Sequence, residues 1–243
     1  MLELVIFIIA TILYFFMRFM TPKYNTISTT IYYLVVISSQ FIFNMSLQNE
    51  LCGDSNYGSA ILVTLIPWIM IFGVLQAMLI IFPGWKQPFS NTFGYLVTRM
   101  AGINDVLFKI LKAPKGTSTP LEKTLHDIYS DPSLFINQVT PDNFDQFVLK
   151  SRFMFKSGMS NQSENLNKFR TLIRLKELIG EFIWYLLSGL LVTTVSYNSI
   201  ANGNCSQSVD EMKKRHAEYE EDIKKQKEEA KNAPPERIYK IRD

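Results

Sequence analysis

Catalysis needs nucleophiles, acid–base groups or metal ligands at workable spacing, and this chain of 243 residues holds few of them. It has two cysteines, Cys52 and Cys205, and two histidines, His126 and His216. No C-x-x-C or H-E-x-x-H pair occurs, so the donors for a Cys/His zinc site are too few and no metal ligand is named. His126 reads as a surface residue of a short helix. No carboxylate pair, Ser/His/Asp set or Gly-rich phosphate loop follows from spacing. The expectation is a protein that is not an enzyme, with no catalytic residue, no cofactor and no small-molecule substrate. A net charge of +3 is too small for the concentrated basic face that a nucleic-acid binder needs.

Two covalent options remain. Cys52 and Cys205 follow two apolar runs and fall on one side of a membrane in the topology below. A disulfide closing so long a loop is worth about 4–5 kcal/mol in the loop-entropy account. Two unrelated cysteines are the alternative, and the residues leave both open. Asn204-Cys205-Ser206 fits the N-glycosylation pattern but hugs a span end, which disfavours its use.

The elements that carry these residues are apolar runs. A helix needs about 20 apolar residues to cross the hydrocarbon core of a bilayer. Four runs qualify: Leu2 to Met20, Thr26 to Leu47, Ala60 to Phe82 and Phe182 to Ala201. The first has no basic n-region or small-x-small cleavage site, and reads as an uncleaved anchor. The fold expected is all-α: a polytopic membrane protein with about four transmembrane helices, a helical extramembrane loop region and a charged C-terminal helix. Arg18, Lys23, Lys86, Arg99, Arg170, Arg174 and Lys176 put the first and the long loop on the cytosolic side. The N-terminus, the Cys52 loop and the C-terminal tail then lie opposite. Within the spans, Gln40, Asn44 and Gln76 predict interhelical polar contacts. No Asp, Glu, Lys or His lies deep in a span, which weakens an ion-coupled transporter.

Four regions follow: 1–82 with three spans, 83–165 as a helical loop region, 166–201 as a long helix including the fourth span, and 202–243 as a charged tail. Trp85 to Tyr95 is aromatic and turn-rich, and is expected at the headgroup level. Tyr95 to Lys112 has helical periodicity and either lies flat on the membrane or forms the core of a small cytosolic domain. Thr119-Pro120-Leu121-Glu122 predicts a capping box and a helix from Pro120 to Tyr129. Thr140-Pro141-Asp142 predicts another from Pro141 to Lys150. From Glu164 to Ile200 no breaker intervenes, so one helix is expected, its first half standing out of the membrane as a post. In the tail, Val209, Met212, His216, Tyr219, Ile223, Gln226 and Ala230 recur at alternating intervals of three and four. That pattern suits a solvated helix held by Glu–Lys pairs or one that pairs with a partner helix, including self-association.

The block Leu79 to Tyr95, L-I-I-F-P-G-W-K-Q-P-F-S-N-T-F-G-Y, resembles a motif of membrane proteins of nucleocytoplasmic large DNA viruses, of chlorella-virus or giant-virus type. Its interface residues are Pro83, Gly84, Trp85, Pro88, Phe89, Asn91, Gly94 and Tyr95. Leu51-Cys52-Gly53 and Glu181-Phe182-Ile183-Trp184-Tyr185-Leu186-Leu187, leading to Tyr197-Asn198 and Cys205, are similar too. The resemblance implies a membrane-spanning minor capsid protein of the virion's internal membrane, itself derived from host endoplasmic reticulum. It implies lipid and viral capsid proteins as partners, and Cys52–Cys205 as a structural pair. It supplies no catalytic residue. A viral entry or fusion component and a small-solute channel or transporter are the alternatives.

Overall fold

The computed structural model describes residues 2–22, 25–53, 57–116, 118–157, 163–203 and 209–232. Among these the chain is helical, with no strand and one isolated antiparallel bridge, Leu111 to Phe155. Four helices are long and apolar enough to cross a membrane. The chain divides into two compact units, residues 1–201 and 202–243.

Helix α1 spans Leu2–Met20 and carries Glu3 in its first turn and Arg18 in its last. Both charges complement the helix dipole. Helix α2 spans Asn25–Cys52. It stops at Gly53, whose φ of 67° lets its N–H bond back to the Asn49 carbonyl at 2.8 Å. Helix α3 spans Tyr57–Ile81 and contains Pro67, followed by one π-helical stretch at Trp68–Gly73. A proline removes one ladder bond and crowds the preceding turn, and a local change of helical pitch absorbs the misfit.

Beyond Phe82 the chain stays helical, where a turn-rich stretch was expected over Trp85 to Tyr95. A 3-10 turn at Pro83–Lys86, one turn at Gln87–Phe89 and a π turn at Ser90–Gly94 lead directly into α4, Tyr95–Met100. Pro83 is the first and Pro88 the second residue of its turn, positions whose N–H has no partner within a helix. The helix expected over Tyr95 to Lys112 is broken in two. Gly102 takes φ 86°, which only glycine adopts without strain, and α5 starts afresh over Ile103–Ile110. Ile103, Val106, Leu107 and Ile110 are buried in a protein core, so α5 belongs to a small domain rather than lying on a lipid surface.

The rest of that domain is short helices. Helix α6, Pro120–Ser130, has the expected capping box: Thr119 Oγ1 accepts from the Glu122 N–H, and the Glu122 carboxylate takes the Thr119 N–H. A single turn, α7 (Ser133–Ile136), has no sequence forecast. Helix α8 spans Phe144–Lys150, three residues later than the Pro141 start expected. Thr140 and Asn143 exchange side-chain and backbone hydrogen bonds instead, holding Pro141 and Asp142 in a turn. Bonds from Lys112 N–H to Met154 O and from Lys156 N–H to Ile110 O tie the chain after α5 to the 3-10 turn at Arg152–Met154.

Helix α9, Glu164–Ala201, is continuous over 38 residues, about 57 Å at 1.5 Å per residue. Its first half is no bare post. Leu166, Phe169, Leu172 and Ile173 are buried among α5 to α8 in one hydrophobic core. Its second half joins α1, α2 and α3 in a bundle, where Tyr185 and Val192 are buried with Phe7, Tyr14, Tyr32 and Phe72. The bundle's outer surface is apolar: Phe16, Leu34, Ile69 and Ile80 are all exposed.

The second unit contains α10, Val209–Asn232. Glu221–Lys225 and Lys214–Glu218 pair at i,i+4, and His216 and Tyr219 are exposed. These are features of a solvated helix. The side chains of Val209, Met212 and Ala230 in the expected seam lie outside the described residues.

Candidate functional site at the waist of the molecule

Between its two cores α9 carries a charged band: Arg174, Lys176, Glu177 and Glu181. Glu181 and Arg174 meet α1, Glu177 meets the turns after α3, and Lys176 meets the π turn and α7. Arg18, near the end of α1, donates to Glu181 at 2.5 Å. Arg174 Nη2 donates to the Arg18 and Phe19 carbonyls at 2.8 and 3.1 Å, capping acceptors that α1 cannot satisfy itself. Lys86 lies 3.5 Å from Glu177, which also accepts from Gln87.

Lys176 is 0% exposed. Stripping water from an ammonium costs several kcal/mol, so its donors must be satisfied. Its Nζ donates to Asn91 Oδ1 at 3.2 Å and to the Ile136 carbonyl at 3.0 Å, with Glu177 Oε1 at 3.9 Å. Three segments thereby share one buried cation: α9, the π turn and the end of α7.

Glycines let the segments approach this closely. A methyl at Gly94 would overlap the Lys176 carbonyl, and one at Gly180 would overlap Ser90. The other motif residues sit around this contact. Trp85 stacks on Phe82 with centroids 5.6 Å apart, and Phe89 meets Trp184 edge-on at 6.1 Å. The Pro88 carbonyl accepts from Thr92, Tyr95 Oη donates to Asn104, and nothing lies within 4 Å of a methyl placed on Gly84. Pro83 only starts its turn.

Within the bundle, Asn44 Nδ2 donates to Thr64 Oγ1 at 2.8 Å, bridging α2 and α3. Gln48 Nε2 does the same with Ser59. Gln40 differs from the interhelical contact expected of it: both of its amide atoms are buried without a hydrogen-bond partner. Gln76 Nε2 is likewise buried and unpartnered. One contact had no sequence forecast. Pro67 leaves the Val63 carbonyl without its helical donor, and Ser196 Oγ of α9 supplies one at 3.1 Å. A proline inside an apolar run was the available signal, since the carbonyl four residues back must find a donor elsewhere.

Cys52 closes α2 and is partly buried, while Cys205 lies outside the described residues, as does Asn204-Cys205-Ser206. Among the described residues no group of three His, Cys, Asp or Glu side chains is placed to hold a metal ion. The waist side chains thus tie α9 to the end of α1, to the turns after α3 and to the end of α7. Comparisons with protein families, curated proteins and solved structures find no match for the chain.

Proposed function

We propose that this chain is an integral membrane protein and a structural anchor, holding a small helical domain at a fixed height and angle over a bilayer. The observation that carries the reading is α9, which runs unbroken from one core into the other. A rigid helix of that length transmits force and position, where a flexible linker would transmit neither. The apolar outer surface of the bundle supports its placement in lipid, because soluble monomers rarely expose so large an apolar patch. In the setting implied by the motif resemblance, the membrane is the internal membrane of a large DNA virus. The domain and tail then grip the capsid shell or other minor capsid proteins, and α10 is a candidate for self-association. Quantitative mass spectrometry of purified particles, before and after mild detergent extraction, tests this. A constant copy number that stays with the shell is expected; absence from particles sinks the viral assignment.

A second reading is a small-solute pathway, favoured by Gln40, Asn44 and Gln48. They are buried at four-residue intervals on α2, with the Gln40 amide unpartnered. Solute flux in reconstituted liposomes, abolished by Gln40→Leu, is the outcome it requires.

A further inference from the structure

We propose that the waist contains a binding cleft for one zwitterionic phospholipid headgroup, a phosphodiester with its ammonium arm. The inference rests on the membrane placement proposed above. A cleft of about 260 Å³ opens where α1 ends, and its floor is one face of α9. Arg174, Glu177, Leu178 and Glu181 recur there at i, i+3, i+4 and i+7. The walls are Arg18 and Pro22 from the end of α1, Lys86 from the turn after α3, and Pro141-Asp142 from the turn before α8.

The charges on these walls sum to zero, with Arg18, Lys86 and Arg174 against Asp142, Glu177 and Glu181. They are not all used. Arg18 pairs with Glu181 and Lys86 with Glu177. Arg174 spends two donor contacts on main-chain carbonyls and pairs with no carboxylate among the described residues. Asp142 is exposed and, among the described residues, pairs with no cation. One cleft therefore offers an unneutralised guanidinium and an unneutralised carboxylate. A guanidinium is the side chain best matched to a phosphate, through its planar fork of donors. The carboxylate suits an ammonium and repels a second anion. A simple anionic headgroup would satisfy the first and meet repulsion from the second.

The position fits as well. The cleft lies at the level where α1 and α3 end, and Phe16, Met17 and Met20 on α1 are exposed. Acyl chains could lie along that apolar surface while the headgroup enters the cleft. The volume is below the roughly 300–1,000 Å³ of drug-sized sites, which suits a headgroup rather than a whole lipid.

The test is native mass spectrometry of the full chain, released from nanodiscs holding equal phosphatidylethanolamine and phosphatidylglycerol. The expected result is one retained phosphatidylethanolamine, favoured about tenfold. Asp142→Asn should bring that preference to near unity or invert it, because the partner of the ammonium is lost while the phosphate site remains. Arg174→Gln should lower retention of both lipids at least fivefold. Asp142 is exposed and caps no helix, so its variant folds even if Arg174→Gln loosens the end of α1. No retained lipid, or a preference unchanged by Asp142→Asn, overturns the proposal. Displacement of the lipid by glycerophosphoethanolamine in a lipid-free buffer at micromolar concentration would assign the cleft to a soluble zwitterion and overturn the lipid source. Flotation of the same preparation with liposomes separates the two ideas: failure to float removes the membrane placement, whereas flotation without lipid preference removes only the cleft.

Discussion

The two ends of α9 are packed by different chemistry. Around Leu166 to Ile173 the core is mostly aliphatic, and four of its eighteen buried members are aromatic. Around Tyr185 and Val192, seven of nine are aromatic. Their rings interlock: Tyr14 stacks on Tyr32 at 4.5 Å, and Phe15 and Phe72 meet Tyr185 edge-on at 5.1 and 5.5 Å. Water explains the first core, since burying each large aliphatic side chain is worth about 1.5–3 kcal/mol. A bundle in lipid gains nothing from that source, because lipid tails are as apolar as leucine. Its helices must be held by shape, ring geometry and hydrogen bonds such as Asn44 to Thr64 and Thr11 to Tyr32. Under the membrane placement proposed above, the difference teaches that one helix serves two solvents, with a polar clamp between the regions.

The clamp is where the comparison can be broken most severely. Lys176→Ala takes a donor from the buried Ile136 carbonyl and from half-buried Asn91 Oδ1. Each acceptor left unpaired costs about 1–3 kcal/mol, while Glu177 keeps Lys86 and Gln87 as partners. Thermal unfolding of the full chain in detergent should shift down by many degrees. If α9 couples the cores, both move together, read by far-UV circular dichroism and by tryptophan fluorescence from the bundle side. A lowered domain transition with an unmoved bundle transition would refute rigid coupling.

Glycine variants rank next. Alanine ordinarily stabilises a helix interior relative to glycine by about 1 kcal/mol. At Gly180 the added methyl meets the Ser90 N and Cα at 2.7 and 2.8 Å, and backbone cannot step aside. Overpacking of this kind costs about 1–3 kcal/mol, so Gly180→Ala should destabilise. At Gly189 the three nearest atoms all belong to the ring of Phe7, a side chain rather than backbone, so Gly189→Ala should cost less. The order of the two melting temperatures is the check. An unchanged or raised value for Gly180→Ala would mean that the waist is looser than drawn.

Much of this architecture was legible beforehand. The first helix is bounded as read, Leu2 to Met20, and the long helix runs from Glu164 to Ala201 where Glu164 to Ile200 was expected. Run length and the absence of a breaker are local properties, so one chain displays them. The waist was not legible. Arg18, Lys86, Arg174 and Lys176 read only as the basic residues that orient a membrane protein. Their carboxylate and amide partners are far away in sequence: Glu181 lies 163 residues from Arg18, and Asn91 lies 85 from Lys176. Periodicity shows which face of a helix is apolar, and says nothing about which side chain will meet it. Gly94 and Gly180 were hidden for the same reason. Prolines at 83 and 88 suggested turns, yet both stand at first-turn positions where a helix tolerates them.

Pro67 and Ser196 give a finer probe of the bundle. Ser196→Ala leaves the Val63 carbonyl unpartnered and should cost about 1–3 kcal/mol. In a Pro67→Ala background the helical N–H returns at position 67, and the same change should cost far less. A double-mutant cycle in detergent reads this coupling directly. Two additive effects would mean that Ser196 does not serve the proline.

The smallest expected effect belongs to the domain's surface. Asp145 on α8 pairs with Arg170 of α9, whose guanidinium also lies 4.4 Å from the Phe144 ring centroid. The hydrogen bond from Arg170 holds the Asp145 carboxyl below its ordinary value of 3.8. A depressed carboxylate contributes stability that is full above the ordinary value. That stability fades as pH falls through the lower folded value. Wild type should therefore exceed Asp145→Asn slightly at pH 6, and the two should converge near pH 2. Because the carboxylate is exposed, salt should shrink the pH 6 gap as well. The Phe144 contact survives the substitution, so a gap that persists at pH 2 would place the benefit in that packing rather than in charge. Such a result would make the waist, with its buried Lys176, the one place along α9 where ionic pairing matters to the fold.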